Sequence, residues 1–324
     1  MPYDIGAPEL SWWMPQIEDR GTAILIDGVI RPPSMTPLRL ALDGEIVTSV
    51  DYLEQADRIV VRGMLPAKLF GDEAVLRVVS AGTGAPVRGW DHFALQRPGT
   101  KLAIPLPPAK LTTRATWLGP RVFDKWGYAL KRKLDAAMGK PRRVLDWGCG
   151  AGRLARYLAS ECDYTGIDID AEAVAWCRAN IPAGRFLLQG LQARTEFADD
   201  TFDAIIGISI FTHLREEDQR AWLKELARIA RPGGVVAVSV CGATSLFNAV
   251  NPSWVKERLR ERGFVDTGVE NTLKGVTGDD EYYRNVYHTP GYIRETWGQD
   301  FEVLEILPAF VANMQDLVLL RPRA

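Results

Sequence analysis

Over the first ~105 residues the apolar positions fall in short, β-branched-rich runs, such as 22–26, 38–42 and 74–79, punctuated by Gly, Pro and Asp. Asp43-Gly44 stands between LRLAL and EIVTSV, the strongest short-range signal for a β-hairpin. No helical period accompanies these runs, which predicts a small all-β, sandwich-like domain over residues 1–105. Pro98, Pro105, Pro107, Pro108 and Pro120 then break any regular element and predict a linker at 106–120. From 121 to 138 the spacing changes: Phe123, Trp126, Leu130 and Leu134 recur at intervals of three and four, a helix that Gly139 and Pro141 end.

Beyond Pro141 strands and helices alternate. Strand-like runs at 143–146, 164–168, 185–189, 202–210 and 235–240 are separated by helical segments at 153–160, 171–180 and 216–230. The last of these carries Glu216, Glu217 and Asp218 in its first turn and Arg228 near its end, in keeping with the helix dipole. Such alternation predicts an α/β fold with a doubly wound, mostly parallel sheet over 121–324. Two final runs, 301–307 and 317–320, suit an antiparallel edge hairpin. The stretch 243–288 is long for a connection and reads as an insertion that roofs a substrate pocket.

Composition narrows the function classes. The 324 residues are 47% hydrophobic and 25% charged, ordinary for a globular protein of two domains. With 39 Lys and Arg against 41 Asp and Glu, no field exists to grip a phosphate backbone, so nucleic acid is not expected as a partner. Four scattered cysteines and three histidines offer neither a disulfide framework nor a metal cluster. The start has no basic or apolar leader segment, and no apolar run approaches the ~20 residues of a membrane span. A soluble, cytoplasmic protein with reduced thiols is expected.

The chemistry concentrates in Val144-Leu145-Asp146-Trp147-Gly148-Cys149-Gly150-Ala151-Gly152. A strand, a glycine turn and a helix in that order place a ligand at the carboxyl edge of the first strand. A dinucleotide fingerprint would need glycine where Arg153 stands. An acid ahead of the first glycine opposes a pyrophosphate and suits a ligand bearing an ammonium or sulfonium.

On these residues the sequence resembles the class I S-adenosylmethionine-dependent methyltransferases. Asp146–Gly152 is similar to their first motif and Tyr164-Thr165-Gly166-Ile167-Asp168 to the second-strand motif. Phe202 to Leu214 is similar to the fourth-strand segment, and Arg231-Pro232-Gly233-Gly234 to the turn before strand five. The resemblance covers 121–322. It implies S-adenosylmethionine as cofactor, with Asp146, Gly148, Gly150 and Gly152 at its methionine portion, Asp168 at its ribose, and Leu191 and Gln192 beside its adenine. The acid often found at the adenine position is missing here.

His213, just past the fourth strand, is the candidate base for taking a proton from a hydroxyl acceptor, with His288 of the insertion as the other candidate. Tyr283, Asn285 and Tyr287 of the insertion and Tyr128 of the preceding helix are candidates for lining the acceptor pocket. No Asn/Asp-Pro-Pro-Tyr/Phe sequence follows the fourth strand, which disfavours nucleobase amines. The expected reaction is O-methylation of a small polar metabolite or saccharide. The alternatives are S- or N-methylation of a thioether or amine, or a binding scaffold without turnover. The β domain is expected to serve dimerisation, making a homo-oligomer, or substrate and partner binding.

Overall fold

The computed structural model describes residues 12–31, 37–87, 93–115, 120–248, 251–276 and 278–323. They fall into two compact units, one ending at Ala136 and the other beginning at Ala137. No described helix is long and apolar enough to cross a membrane.

The first unit contains β1 (Trp12–Asp19), β2 (Ala23–Arg31), β3 (Leu38–Leu42), β4 (Glu45–Ile46), β5 (Val50–Glu54), β6 (Ile59–Pro66), β7 (Glu73–Ser80) and β8 (Phe93–Gln96). They make two four-stranded antiparallel sheets, ordered β1-β2-β6-β5 and β4-β3-β7-β8. Period-two alternation buries one side of β2, where Ile24, Ile26 and Ile30 point into the core. Asp43 and Gly44, at φ +50° and +93°, form the expected two-residue turn and set Leu42 opposite Glu45.

Two sequence expectations change here. The proline-rich stretch is not free of regular structure, because it contains helix α1 (Ala109–Ala115). Pro108 immediately precedes it and accepts from the N–H groups of Leu111 and Thr112, a place where a missing proline N–H costs nothing. Helix α2 (Pro120–Met138) matches its predicted span but groups with the β strands as far as Ala136, so the division falls at its last residues. Its Trp126 packs edge-on against Phe93 at 5.3 Å. Lys125 pairs with Asp19 at 3.2 Å and Arg132 with Glu73 at 2.7 Å.

The second unit runs through β9 (Arg143–Trp147), α3 (Ala155–Leu158), β10 (Asp163–Asp168), α4 (Ala171–Asn180), β11 (Arg185–Leu188), β12 (Phe202–Gly207), α5 (Glu216–Ile229) and β13 (Ala230–Val240). The insertion follows as α6 (Ala243–Asn248), α7 (Ser253–Arg262), β14 (Phe264–Val269) and β15 (Arg284–His288). Helix α8 (Pro290–Thr296) and strands β16 (Phe301–Val311) and β17 (Gln315–Pro322) close the chain. The seven-stranded sheet has the order β11-β10-β9-β12-β13-β17-β16. It is parallel as far as β13, and β17 and β16 add the antiparallel edge hairpin. The order turns back between β9 and β12, which opens a crevice beyond the carboxyl ends of those strands.

Strand β12 ends at Gly207, short of the predicted 210, because Ser209 adopts φ +61° and cannot continue a ladder. Its N–H donates to Ser239 Oγ at 2.7 Å, and both serine hydroxyls donate to Gln315 Oε1. Below the crevice Trp147 packs against Phe211 and Trp222, at ring separations of 5.2 and 4.7 Å. Strands β14 and β15 form a separate antiparallel pair outside the main sheet.

Candidate active site

The glycine turn leaves β9 with Gly148 and Gly152 both at φ +79°, a conformation that L side chains rarely adopt. The N–H groups of Gly148 and Cys149 both donate to the Ile167 carbonyl, at 2.8 and 3.1 Å, locking the turn onto the end of β10. A Cβ at Gly152 would fall 2.6 Å from Ile181 Cδ1, so a side chain there would also force that methyl to shift.

Asp168 ends β10. Its Oδ2 accepts from the Gly150 N–H at 2.6 Å and its Oδ1 from the Asp170 N–H at 2.8 Å. The carboxylate also feels the Ile169 N–H, and at least one of its roughly four acceptor sites stays open to a further donor. Burial raises it to about 6, against the pull of those N–H groups. Asp170, two residues on, serves the helix instead, capping α4 through Oδ1, which accepts from Glu172 N and Ala173 N.

Asp146 is only 3% exposed, and the hydroxyl of Tyr164 donates to it. Burial raises it to about 6, opposed by the Tyr164 bond and the charge of Arg153. The arginine that occupies the third-glycine position of a dinucleotide fingerprint is thus part of the electrostatic environment of this acid.

After β11, Leu191 is partly buried and Gln192 exposed. Their loop is organised by Gln189, whose Nε2 donates to the carbonyls of Gly190, Gln192 and Arg194 at 3.2, 3.3 and 3.1 Å. From the insertion, the Tyr282 hydroxyl donates to Leu191 O at 3.0 Å.

His213 donates from Nδ1 to the Arg284 carbonyl at 2.6 Å, and Tyr283 stacks on its ring at 3.9 Å and 19°. Nε2 has no hydrogen-bond partner among the described residues. Burial holds the imidazole down at about 4, so it is neutral near pH 7. Burial also raises the Tyr283 phenol far above its ordinary value, and the charges of Glu270 and Asp168 add to the shift.

The other sequence candidates are placed differently. His288 is 1% exposed, ringed by Phe264, Tyr292 and Trp297, so it cannot meet a substrate proton. Val286, Tyr287 and His288 are buried in succession, so both faces of β15 are covered where this polar aromatic run ends. Tyr287 packs with Leu246, Val255, Leu259 and Val265, and its hydroxyl reaches Asn251 Oδ1 at 3.4 Å. Asn285 gives its carbonyl to Thr267 Oγ1 at 3.0 Å. Tyr128 belongs to the first unit, where its hydroxyl donates to Glu73; it ties α2 to β7. Gln189, Gln219 and Tyr282 carry structural bonds around the site and were not candidates from the sequence.

Residues 144–234 match the methyltransferase domain family. The methyltransferase GfsG of Streptomyces halstedii is 33% identical over 140 residues, 38% of this chain and 48% of that protein. The fatty-acid O-methyltransferase of Mycolicibacterium smegmatis is 39% identical over 98 residues, 29% of this chain and 35% of that protein. The chain therefore spans half or less of the length of these relatives. A TehB-like S-adenosylmethionine-dependent methyltransferase from Corynebacterium glutamicum, whose structure is solved, aligns with 60% of this chain and 87% of its own at 16% identity and a TM-score of 0.41. The matched segment holds the glycine turn, Asp168 and the segment after β12, and with it the chain carries a methyltransferase domain.

Proposed function

We propose that this protein transfers the methyl group of S-adenosylmethionine to a hydroxyl of a small polar metabolite or saccharide, with His213 as general base. The observation that carries the reading is the state of that imidazole. Its Nδ1–H is committed to the Arg284 carbonyl at 2.6 Å, which leaves Nε2 as the bare, proton-accepting nitrogen of a neutral ring.

The residues present suit the cofactor. The remaining acceptor capacity of Asp168 would serve the ribose hydroxyls, the glycine turn would hold the methionine portion, and Leu191 and Gln192 would flank the adenine. When bound, the cofactor supplies an electrophilic methyl on a sulfonium. The chain's part is to hold the acceptor oxygen in line with that methyl, which supplies most of the acceleration, and to receive its proton at His213 Nε2. Tyr283, stacked on His213, and Asn285, three residues before the buried end of β15, bound the acceptor side.

A second reading rests on the same ring. At about 4, His213 is a weaker base than an ordinary histidine. An amine or thioether nucleophile needs less help from it than an alcohol does. Incubating the protein with isotope-labelled S-adenosylmethionine and a metabolite extract, followed by mass spectrometry, identifies the acceptor. A labelled methyl ether in the product supports the first reading, a labelled methylamine or methylsulfonium the second, and no labelled product speaks against both.

A further inference from the structure

Every backbone carbonyl from Ile210 to Leu214 has a partner. Ile210 O accepts from His213 N at 2.9 Å, Thr212 O from Val286 N at 3.1 Å, and His213 O from Arg284 N at 3.0 Å. The remaining two, Phe211 O and Leu214 O, both accept from Gln219 Nε2, at 3.1 and 2.9 Å. Gln219 lies in α5 immediately after its acidic first residues and is 1% exposed, although its position on the helix reads as surface.

The amide has no spare donor once both N–H groups point at these carbonyls, so its Oε1 must accept. His288 lies 2.9 Å away and donates Nε2–H to it. Its other nitrogen, Nδ1, is buried without a partner, which fixes His288 in the tautomer that faces Gln219. A chain of three side-chain bonds therefore runs from the insertion strand β15, through α5, to the carbonyls on either side of His213. Buried carbonyls left without donors cost about 1–3 kcal/mol each, so losing this amide would oblige the segment to rearrange.

We propose that Gln219 is a positioning residue for methyl transfer: its amide clamps the two carbonyls that bracket His213 and so holds the imidazole with Nδ1–H on Arg284, while His288 fixes the orientation of that amide. The proposal rests on the reading of His213 as the base, and it reassigns His288 from proton acceptor to strut.

With three histidines in the chain, long-range proton–nitrogen correlation spectra of the full-length, nitrogen-15-labelled protein report the tautomer of each ring. The wild type should show one ring, lost in His213→Ala, that is protonated at Nδ1 and stays neutral down to about 4. In Gln219→Met that ring should exchange between tautomers and titrate nearer the ordinary ~6.5. S-adenosylhomocysteine affinity, measured by calorimetry, should change by no more than about twofold, since Asp168 and the glycine turn lie apart from this chain of bonds. An unchanged tautomer and titration in folded Gln219→Met would overturn the proposal. Should that variant fail to fold, His288→Gln and His288→Phe decide. The glutamine can still donate to Gln219 Oε1 and should preserve the His213 spectrum; the phenylalanine cannot and should alter it. The same spectrum in both overturns the proposal. The base role is read separately, by the turnover of His213→Ala, so positioning and base chemistry can fail independently.

Discussion

Gly150 donates its N–H to Asp168 Oδ2 at 2.6 Å, so the acid expected to bind the ribose also closes the glycine turn beside it. Replacing Asp168 by alanine removes a charged acceptor from both. S-adenosylhomocysteine binding should weaken by about 1.5–3 kcal/mol, the scale of hydrogen bonds to a charged group. Calorimetry on a variant with an unchanged thermal transition checks this, and an unaltered affinity would contradict the ribose assignment.

The same carboxyl gives cofactor binding a pH dependence. Asp168 is raised to about 6, and its ionised form is the better acceptor for two hydroxyls. Affinity should therefore be flat above pH ~7 and fall by up to about tenfold per unit below 6, with proton release on binding in that range. Asp168→Asn should flatten the profile.

If a hydroxyl is the acceptor, His213→Ala should lower kcat by about 10²–10⁴-fold while S-adenosylhomocysteine affinity stays close to wild type. Because the ring titrates at about 4, kcat/KM for the acceptor at saturating S-adenosylmethionine should show no histidine inflection near ~6.5. A normal kcat in His213→Ala at neutral pH would move the assignment to sulfur or nitrogen.

Stability should also record the buried histidine. The folded state holds His288 at about 3, against an unfolded value near ~6.5. The unfolded chain takes up this proton first, so the contribution is complete above ~6.5 and declines as the pH falls toward the folded value, by about 1.4 kcal/mol per unit. Asp146, Asp168 and Asp316, each raised to about 6, act in the opposite sense: their contribution is greatest in acid and fades as the pH rises through 6. Subtraction isolates the histidine. From pH 6 to 4 in urea, wild type should lose stability relative to His288→Phe, and a constant gap would refute the burial argument.

Truncation tests where the units divide. A chain beginning at residue 139 should fold and bind S-adenosylhomocysteine. One beginning at residue 106 keeps α2 but strips away its β partners, exposing Val122, Phe123, Trp126 and Leu130, all buried in the whole chain. Each such side chain is worth about 1.5–3 kcal/mol when buried, so this longer fragment should aggregate more readily. Light scattering distinguishes them, and equal behaviour would return α2 to the second unit.

The parts of the fold legible in sequence were those governed by local rules. Asp43-Gly44 could hardly make anything but a tight turn, and α4 spans 171–180 as predicted because Asp170 caps it and Pro182 follows. The glycine turn and Asp168 were equally legible, since their spacing is itself the geometry. Contacts between distant segments left no such trace. A glutamine near the start of an amphipathic helix reads as solvated, and only the fold brings the carbonyls of Phe211 and Leu214 to Gln219. His288 and Tyr287 misled because hydrogen-bonding aromatics suit a pocket wall and a packed strand equally, and their pairing partners alone decide between them.

The bond from the Tyr282 hydroxyl to the Leu191 carbonyl joins the insertion to the loop beside the expected adenine. Two ligands that each favour one arrangement of a shared element must help each other by the same factor, whichever arrives first. An acceptor that settles the insertion would thus slow departure of the cofactor, and a settled cofactor loop would ready the insertion for its acceptor. Tyr282→Phe would weaken that reciprocity, leaving each ligand to bind with less help from the other.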